Sequence, residues 1–433
     1  MTHMTRRELL GVSLGGVATA VTTGPRSLTA AATVQEQIQL AVVGVRGVGR
    51  RHIQQLQGRP DVRVAAICDV DQKVLASAQE AVQNVDGSTP VSVEDYRRLL
   101  DDKSIDALIV ATPNHWHGPI GINAVQAEKD VYVENPCSHV FREGQVLVQA
   151  ARRFRRVVQH GTPMRSSDVT TRAAEVLDSG ILGTVKMSKA WNCRRHNHPH
   201  STPDSPPPKH VNYDMWLGPA PQRPFNTNRF HGHWTWCRDY GNGDIGSEGV
   251  HDLDLARWAL GVQTHPERIT AHGSRIDLAG EREFPDNMTV AYHYPEGKVL
   301  LYEERSWTPY GPYGFDSGNV FYGTEGMMVF SRRGYFQVYM GNQREEGPGM
   351  RGGTGQPEHL DNFLDCVRTR QTTAAPPEVA HLSCGLVHLG EIAYRVGRVL
   401  DFDTTGEAFR HVEEANQMLK KRYRAPWAIP SNT

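Results

Sequence analysis

Apolar residues recur along this chain in two styles, and the change falls a little past residue 160. From Ile38 onward, short apolar runs alternate with stretches of helical period. Ile38–Gly44, Arg63–Asp69, Asp106–Pro113, Val131–Asn135 and Val157–Gly161 read as strands, with helical spacing between them, as in Gln72–Val82 and Phe141–Arg153. Strand–helix repetition at this spacing predicts an α/β domain with a doubly wound parallel sheet, covered on both faces. Past it, a helix over Ser167–Asp178, stopped by Gly180, leads to a strand near Thr184–Trp191. A proline- and histidine-rich loop over His196–His210 and a helix over Val250–Leu260 follow. Strands at Met288–Tyr294, Lys298–Glu304, Asn319–Gly323 and Met327–Phe330 are joined by the short turns Pro295-Glu296-Gly297 and Thr324-Glu325-Gly326, which predicts antiparallel pairing. Helices return at Glu358–Arg368 and Val379–Val399. The second unit is thus expected to be an α+β domain with a large open, mostly antiparallel sheet. A sheet face without helices invites a homo-oligomer, a dimer or tetramer, through that surface.

A length of 433 residues suits two domains rather than one core. We place a first domain at residues 33–163, a second at 164–400 and a C-terminal extension at 401–433. Hydrophobic content of 39% and charged content of 22% describe a soluble globular chain, and a net charge of −1 gives no reason to expect nucleic acid as partner. The six cysteines are scattered, without a CxxC pair, and read as buried free thiols; no metal is expected. Residues 1–32 differ in kind. Thr5-Arg6-Arg7-Glu8-Leu9-Leu10 precedes a mildly apolar run from Gly11 to Val21 and then Ala30-Ala31-Ala32, the order of a twin-arginine signal peptide. Export to the periplasm or the outside follows, and the run is too short to be a stable membrane anchor.

The chemistry gathers at the ends of the first domain's strands. Gly44-Val45-Arg46-Gly47-Val48-Gly49 follows the first strand and opens a helix, where glycines let the backbone approach a pyrophosphate. Arg46 stands in the second glycine slot of G-x-G-x-x-G, with Gly47 one place later. Asp69 closes the second strand about 20 residues on, where a carboxylate holds the adenosine ribose hydroxyls and favours NAD over NADP. Ala111-Thr112-Pro113-Asn114-His115-Trp116-His117 and Glu134-Asn135-Pro136 end the next two apolar strands at the same edge.

These stretches, with Gln159-His160-Gly161 and Gly241–Asp254, resemble the glucose–fructose oxidoreductase / inositol dehydrogenase (Gfo/Idh/MocA) family over nearly all of the chain from Ile38 to Leu400. The resemblance implies a Rossmann domain holding NAD, through Gly44–Gly49, Asp69, Ala111–Asn114, His115, His117, Glu134 and Asn135, and a sugar, polyol or glycoside at the junction with the second domain. It also implies an E-K-P lysine at the reacting hydroxyl, assisted by an Asp-x-x-x-His pair. Here the lysine position is Asn135, the aspartate position is Ser247 and the histidine is His251. His251 is therefore the candidate general acid or base, with an ordinary pKa near about 6.5. Asn135 is left to position the hydroxyl, and Glu248 is the nearest substitute for the missing carboxylate. A one-residue shift on a helix turns a side chain by roughly 100°, which argues against that substitute.

Substrate contacts are expected from Arg165, after the domain junction, and from Arg229, His231, Trp236 and Asp244 ahead of the His251 helix, where aromatic rings and polar groups suit a sugar. His196, His198 and His200 alternate, but the prolines around them indicate a loop rather than a metal-binding strand. An exported dinucleotide enzyme meets no pool of free NAD, so the cofactor must travel inside and return to its starting state in each turnover. Three readings follow: a sugar oxidoreductase with tightly bound cofactor, a redox-neutral NAD-dependent glycosidase of the kind this family contains, and a catalytically silent NAD-bound sugar-binding protein.

Overall fold

A computed structural model of the chain describes residues 37–196, 201–276 and 282–429. The expected signal peptide, together with His198 and His200, lies outside them. The first domain runs β1 (Ile38–Val43), α1 (Val48–Leu56), β2 (Val62–Cys68), α2 (Gln72–Asp86), β3 (Val91–Val93), α3 (Arg97–Asp101), β4 (Ala107–Val110), α4 (Asn114–Gln126), β5 (Asp130–Val133), α5 (Phe141–Phe154) and β6 (Val158–His160). Its six strands are all parallel, in the order β3-β2-β1-β4-β5-β6. The strands are apolar on both faces because both are covered: Leu40, Val42, Ile67 and Ile109 face one core, and Ala41, Val43, Leu108 and Val110 the other. Local signals set the helix ends. Asp71 caps α2 by accepting from the Lys73 and Val74 amides, and Gly87 stops it in the left-handed conformation at φ +67°.

The second domain contributes α6 (Asp168–Asp178), β7 (Met187–Asn192), α7 (Tyr213–Leu217), α8 (Val250–Ala259), β8 (Arg268–Ser274), β9 (Asn287–His293), β10 (Val299–Arg305), β11 (Ser317–Tyr322), β12 (Gly326–Ser331), β13 (Tyr335–Met340), β14 (Glu345–Arg351), α9 (Gln356–Thr369), α10 (Pro377–Val396), β15 (Leu400–Asp403), β16 (Ala408–Phe409) and α11 (Glu413–Met418). Ten strands form one sheet in the order β14-β13-β12-β11-β7-β10-β9-β8-β15-β16, antiparallel throughout except for β7 with β10. The doubly wound sheet and the open, mostly antiparallel one are thus both present. Helices α8 and α10 lie on one face of the larger sheet.

Two long-range returns modify the simple division of the chain. Leu360, Phe363, Leu364 and Cys366 of α9 pack into the first domain's core beside Tyr132 and Val157, so a late helix completes the covering of that sheet. The boundary expected at 400/401 falls inside β15, which pairs with β8. The residues after it close back on the first domain: Lys421 Nζ is 2.9 Å from the Glu143 carboxylate, and the Trp427 ring meets Trp116 at 5.1 Å.

Candidate active site

The carboxyl ends of β1, β2, β4 and β5 open into a cavity of about 380 Å³, lined by Gly44, Arg46, Gly47, Val48, Asp69, Ala111–Asn114, His117, Glu134 and Asn135. The second domain closes it with Trp216 of α7, with His231, Gly232 and Trp234, and with Ser247 and Glu248 ahead of α8. At one end is the glycine turn. Gly44 has φ +83°, and a Cβ there would meet the Ala111 carbonyl at 2.7 Å; on Gly49 it would meet the Gly44 carbonyl at 1.8 Å. These two glycines let strand, turn and helix touch. Gly47 differs, since a Cβ on it would enter open space. It precedes the first turn of α1, which has no side-chain cap, so free amides and the positive end of the helix face the cavity.

Asp69 accepts from the Val45 amide at 3.0 Å and the Asp71 amide at 3.0 Å. Burial pushes its carboxyl up to about 6, against the pull of those amides. The capping of α2 falls to Asp71 instead, leaving Asp69 at the cavity wall. His231 lines the same end, its Nε2 2.9 Å from Asp71 and its carbonyl accepting from Arg46 at 2.8 Å. That moves His231 from its expected place against substrate to a strap over the dinucleotide turn. Glu94, Tyr96, Met215 and Trp216 also line the cavity and were not anticipated. Glu94 and Tyr96 follow β3, a strand too short to stand out in the pattern, and the other two come from the short helix α7, distant in sequence.

At the opposite end Glu134 is held by His52, whose Nε2 lies 2.6 Å from Oε1. Burial would raise this carboxyl, but the His52 hydrogen bond and the fields of His52, His117 and His251 together outweigh it, and the group lies below its ordinary value. The Asn135 amide Nδ2 donates to the Ser247 carbonyl at 2.9 Å. Ser247 sits in one turn of π-helix, Ile245–Gly249, just ahead of α8, where the wider ladder leaves that carbonyl available. His251, four residues after Ser247 and in the first turn of α8, does not itself line the cavity; it is half-buried and is pushed down to about 4 by burial and by the Arg332 cation. It is a neutral imidazole at neutral pH. Glu248 does line the cavity, but its carboxylate is engaged by Arg194 and Arg332. Burial raises its proton affinity, and Arg332, Arg194 and His251 together more than reverse this, so it is a poor base. No lysine lines the cavity among the described residues.

Other expected contacts lie elsewhere. His115 does not line the cavity: its ring nitrogens point to the Tyr240 carbonyl at 3.3 Å and the Trp216 carbonyl at 2.9 Å, joining the domains. His117 does line it, with both nitrogens on carbonyls, Pro136 at 2.8 Å and Thr112 at 2.7 Å. Arg165 is buried in a two-pronged pair with Asp254, at 2.6 and 2.9 Å. Arg229 binds Asp204 at 2.6 Å within its own loop cluster. Asp244 is buried between Arg282 at 2.6 Å, His196 at 3.1 Å and the Trp236 indole N–H at 3.3 Å, which withdraws Asp244 and Trp236 from the cavity wall. Each polar group here found an internal partner remote in sequence. Trp234, by contrast, does line the cavity.

The residues fit a dinucleotide. The cavity runs from Asp69 past bare helix amides to Asn135, and the buried Thr112 Oγ1 in its wall has no partner among the described residues. The Gfo/Idh/MocA patterns match accordingly: the oxidoreductase family's NAD-binding Rossmann fold over residues 38–162, and its C-terminal alpha/beta domain over 172–313 and 353–429. Similar proteins include the uncharacterized oxidoreductase YrbE of Bacillus subtilis (strain 168), 22% identical over 67% of this chain and 73% of that one. Glycosyl hydrolase family 109 protein 1 of Shewanella sp. (strain MR-4) is 31% identical over 150 residues, one third of each chain at 33%. Among solved structures, the aldose-aldose oxidoreductase from Caulobacter crescentus, complexed with glycerol, has the same fold, with TM-score 0.66 and 18% identity over 85% of this chain and 100% of that one.

Proposed function

This chain belongs to the Gfo/Idh/MocA family of NAD-binding oxidoreductases, and from that premise we propose that it acts on a CH–OH carbon of a sugar or glycoside, with NAD retained between turnovers. The observation that carries the reading is the shape of the catalytic end: the position of the family lysine holds an amide tied to Ser247, so proton transfer falls to His251. Bound nicotinamide would supply a hydride acceptor and donor beside Asn135. The neutral His251 imidazole takes the hydroxyl proton, and the anionic Glu134 nearby favours the imidazolium so formed. Trp234 offers an aromatic face to a ring, and the straps at His231 and Trp216 exclude water. Full-length protein, purified without added cofactor and denatured, should release close to one NAD or NADH per chain by mass spectrometry. Protein that carries none, and takes up none on incubation, removes the basis of the reading.

The second reading is a glycosidase in which oxidation, bond cleavage and re-reduction leave no net NADH. It is supported by the likeness to a glycosyl hydrolase family 109 protein and by the missing lysine. A glycoside screen should then release sugar without NADH accumulating, and solvent deuterium should enter the carbon beside the transient ketone. Net NADH formation from a free sugar favours the oxidoreductase reading instead. Twin-arginine export of the folded, NAD-loaded chain to the periplasm belongs to the same proposal, supported by Arg6-Arg7 and the apolar run after them. So does self-association through the sheet face opposite α8 and α10.

A further inference from the structure

A second group of donor atoms lies away from the dinucleotide cavity, where α5, α10, the segment entering β8 and the β15–β16 turn meet. His265 Nε2 is 3.2 Å from Glu407 Oε1, His381 Nε2 is 3.0 Å from the same oxygen, and the two nitrogens are 3.4 Å apart. An ion bonded to nitrogen or oxygen at about 2.0–2.1 Å holds neighbouring ligands about 3.0 Å apart at octahedral angles and about 3.4 Å apart at tetrahedral ones. All three edges fall in that window, so one ion reaches all three atoms at bonding distance.

The surroundings are cut to admit the two rings. A Cβ on Gly385 of α10 would stand 2.5 Å from His265 Cε1, and one on Gly144 of α5 would stand 2.5 Å from His381 Nδ1. The Phe141 ring packs against both imidazoles, with centroids at 4.9 and 4.8 Å. Gln145 donates to Glu407 Oε2 at 2.6 Å, which fixes the carboxylate with Oε1 toward the rings, the outer support that ligating carboxylates need. The histidines are buried while the Glu407 side chain is 26% exposed, so the remaining coordination positions face water.

We propose that His265, His381 and Glu407 form a binding site for a divalent transition-metal ion, with zinc the ion best suited to two imidazoles, one carboxylate and water. None of the three lines the dinucleotide cavity, so the site stands independently of the function proposed above. Bound there, the ion staples the β15–β16 turn to α10 and to the entry of β8, three places far apart in sequence. The rival arrangement is a hydrogen-bonded cluster with ring protons at its centre.

The two are separated by stripping the full-length protein with a chelator and titrating it with Co(II) or Zn(II). We expect one equivalent of Co(II) to bind with visible d–d absorption, and Zn(II) to raise the melting temperature. Glu407→Gln keeps the size of the side chain at a partly exposed turn, and should bind at least tenfold more weakly without the Zn(II)-dependent rise. His381→Asn should do the same. Equal Co(II) uptake by wild type and both variants would place the ion elsewhere and overturn the proposal. So would stripped wild type that takes up neither ion at micromolar concentration, which is the outcome the hydrogen-bonded cluster requires.

Discussion

Asn135 and Ser247 are bonded to each other across the two domains, the asparagine amide donating to the serine carbonyl at 2.9 Å. These are the positions where the family resemblance implies a lysine and an aspartate, so both departures fall within one contact. The contact is a neutral amide-to-backbone-carbonyl bond that moves no proton. It joins the end of β5 to the π-turn before α8.

Asn135→Ala should therefore act first on stability. A net loss of about 0.5–1.5 kcal/mol is expected for one hydrogen bond, read as a small fall in the denaturation midpoint. Asn135→Lys should not create dehydrogenase activity, because Ser247 offers no carboxylate to hold the ammonium. Assays with NAD and a panel of sugars check this. Activity appearing where wild type has none would identify the protein as a degenerate, silent dehydrogenase.

Gly47 and Gly49, two positions apart, should respond in opposite ways. Gly49→Ala puts a methyl 1.8 Å from the Gly44 carbonyl, so the turn must open, at a cost of about 1–3 kcal/mol or more. Gly47→Ala meets nothing in the protein and should fold normally. Its methyl enters the space where a pyrophosphate approaches the helix amides, so NAD binding should weaken at least tenfold. Melting curves and calorimetric titration of both variants distinguish the two effects.

The same contrast explains how much of the site was legible in the sequence. Gly44, Gly47, Gly49 and Asp69 work through local geometry, a turn between strand and helix and the next strand's end, and spacing alone locates them. Arg165 reads as a substrate contact because it follows the domain junction, and Arg229 and Asp244 because they carry charge near aromatic residues. Their partners, Asp254, Asp204 and Arg282, are reached only through tertiary packing. Edge strand β14, Glu345–Arg351, carries two glycines and a proline and shows no alternation to read. Helix α9 reads correctly as a helix, but its period does not say which domain's sheet it covers.

Arg165 offers a direct check on its reassignment. Its partner Asp254 would be raised by burial but is held at about 2, chiefly by Arg165. A carboxyl lowered in the folded state stabilises above its unfolded value, and that contribution disappears as pH falls from about 4 towards 2. Arg165→Met strands the buried carboxylate and should cost about 3–5 kcal/mol at neutral pH. Denaturant melts should also lose their steepest acid dependence between those pH values. NAD content measured on the folded variant should be unchanged, whereas a substrate-contacting arginine would leave stability almost untouched.

His251 should govern the acid limb of the rate. With its imidazole pushed down to about 4, turnover should hold from neutral pH to about 5 and fall below that, rather than near the usual histidine value. His251→Asn should lose about 10² to 10⁴ in rate, as expected for a positioned base, with bound NAD retained. The pH profile of wild type, measured on the substrate found by the sugar and glycoside screen, checks the position of the limb.

Asp69 should make cofactor affinity and bare-protein stability respond oppositely to acid. The ionised carboxylate is the form that accepts from ribose hydroxyls. As pH falls through about 6 the carboxyl protonates, and NAD should bind up to about tenfold more weakly per unit below that value. For the protein without cofactor the sign reverses. A carboxyl raised by burial is costly when ionised, so its protonation makes folding more favourable as pH falls from about 6 towards its unfolded value near about 4. The melting increment produced by added NAD should thus shrink on acidification while the baseline contribution of Asp69 grows. Asp69→Asn removes both dependences and weakens the preference for NAD over NADP, since the charge that repels a 2′-phosphate is gone. Thermal melts at pH 5, 6 and 7, with and without each dinucleotide, read all three effects, and an increment independent of pH in wild type would mean that Asp69 does not hold the ribose.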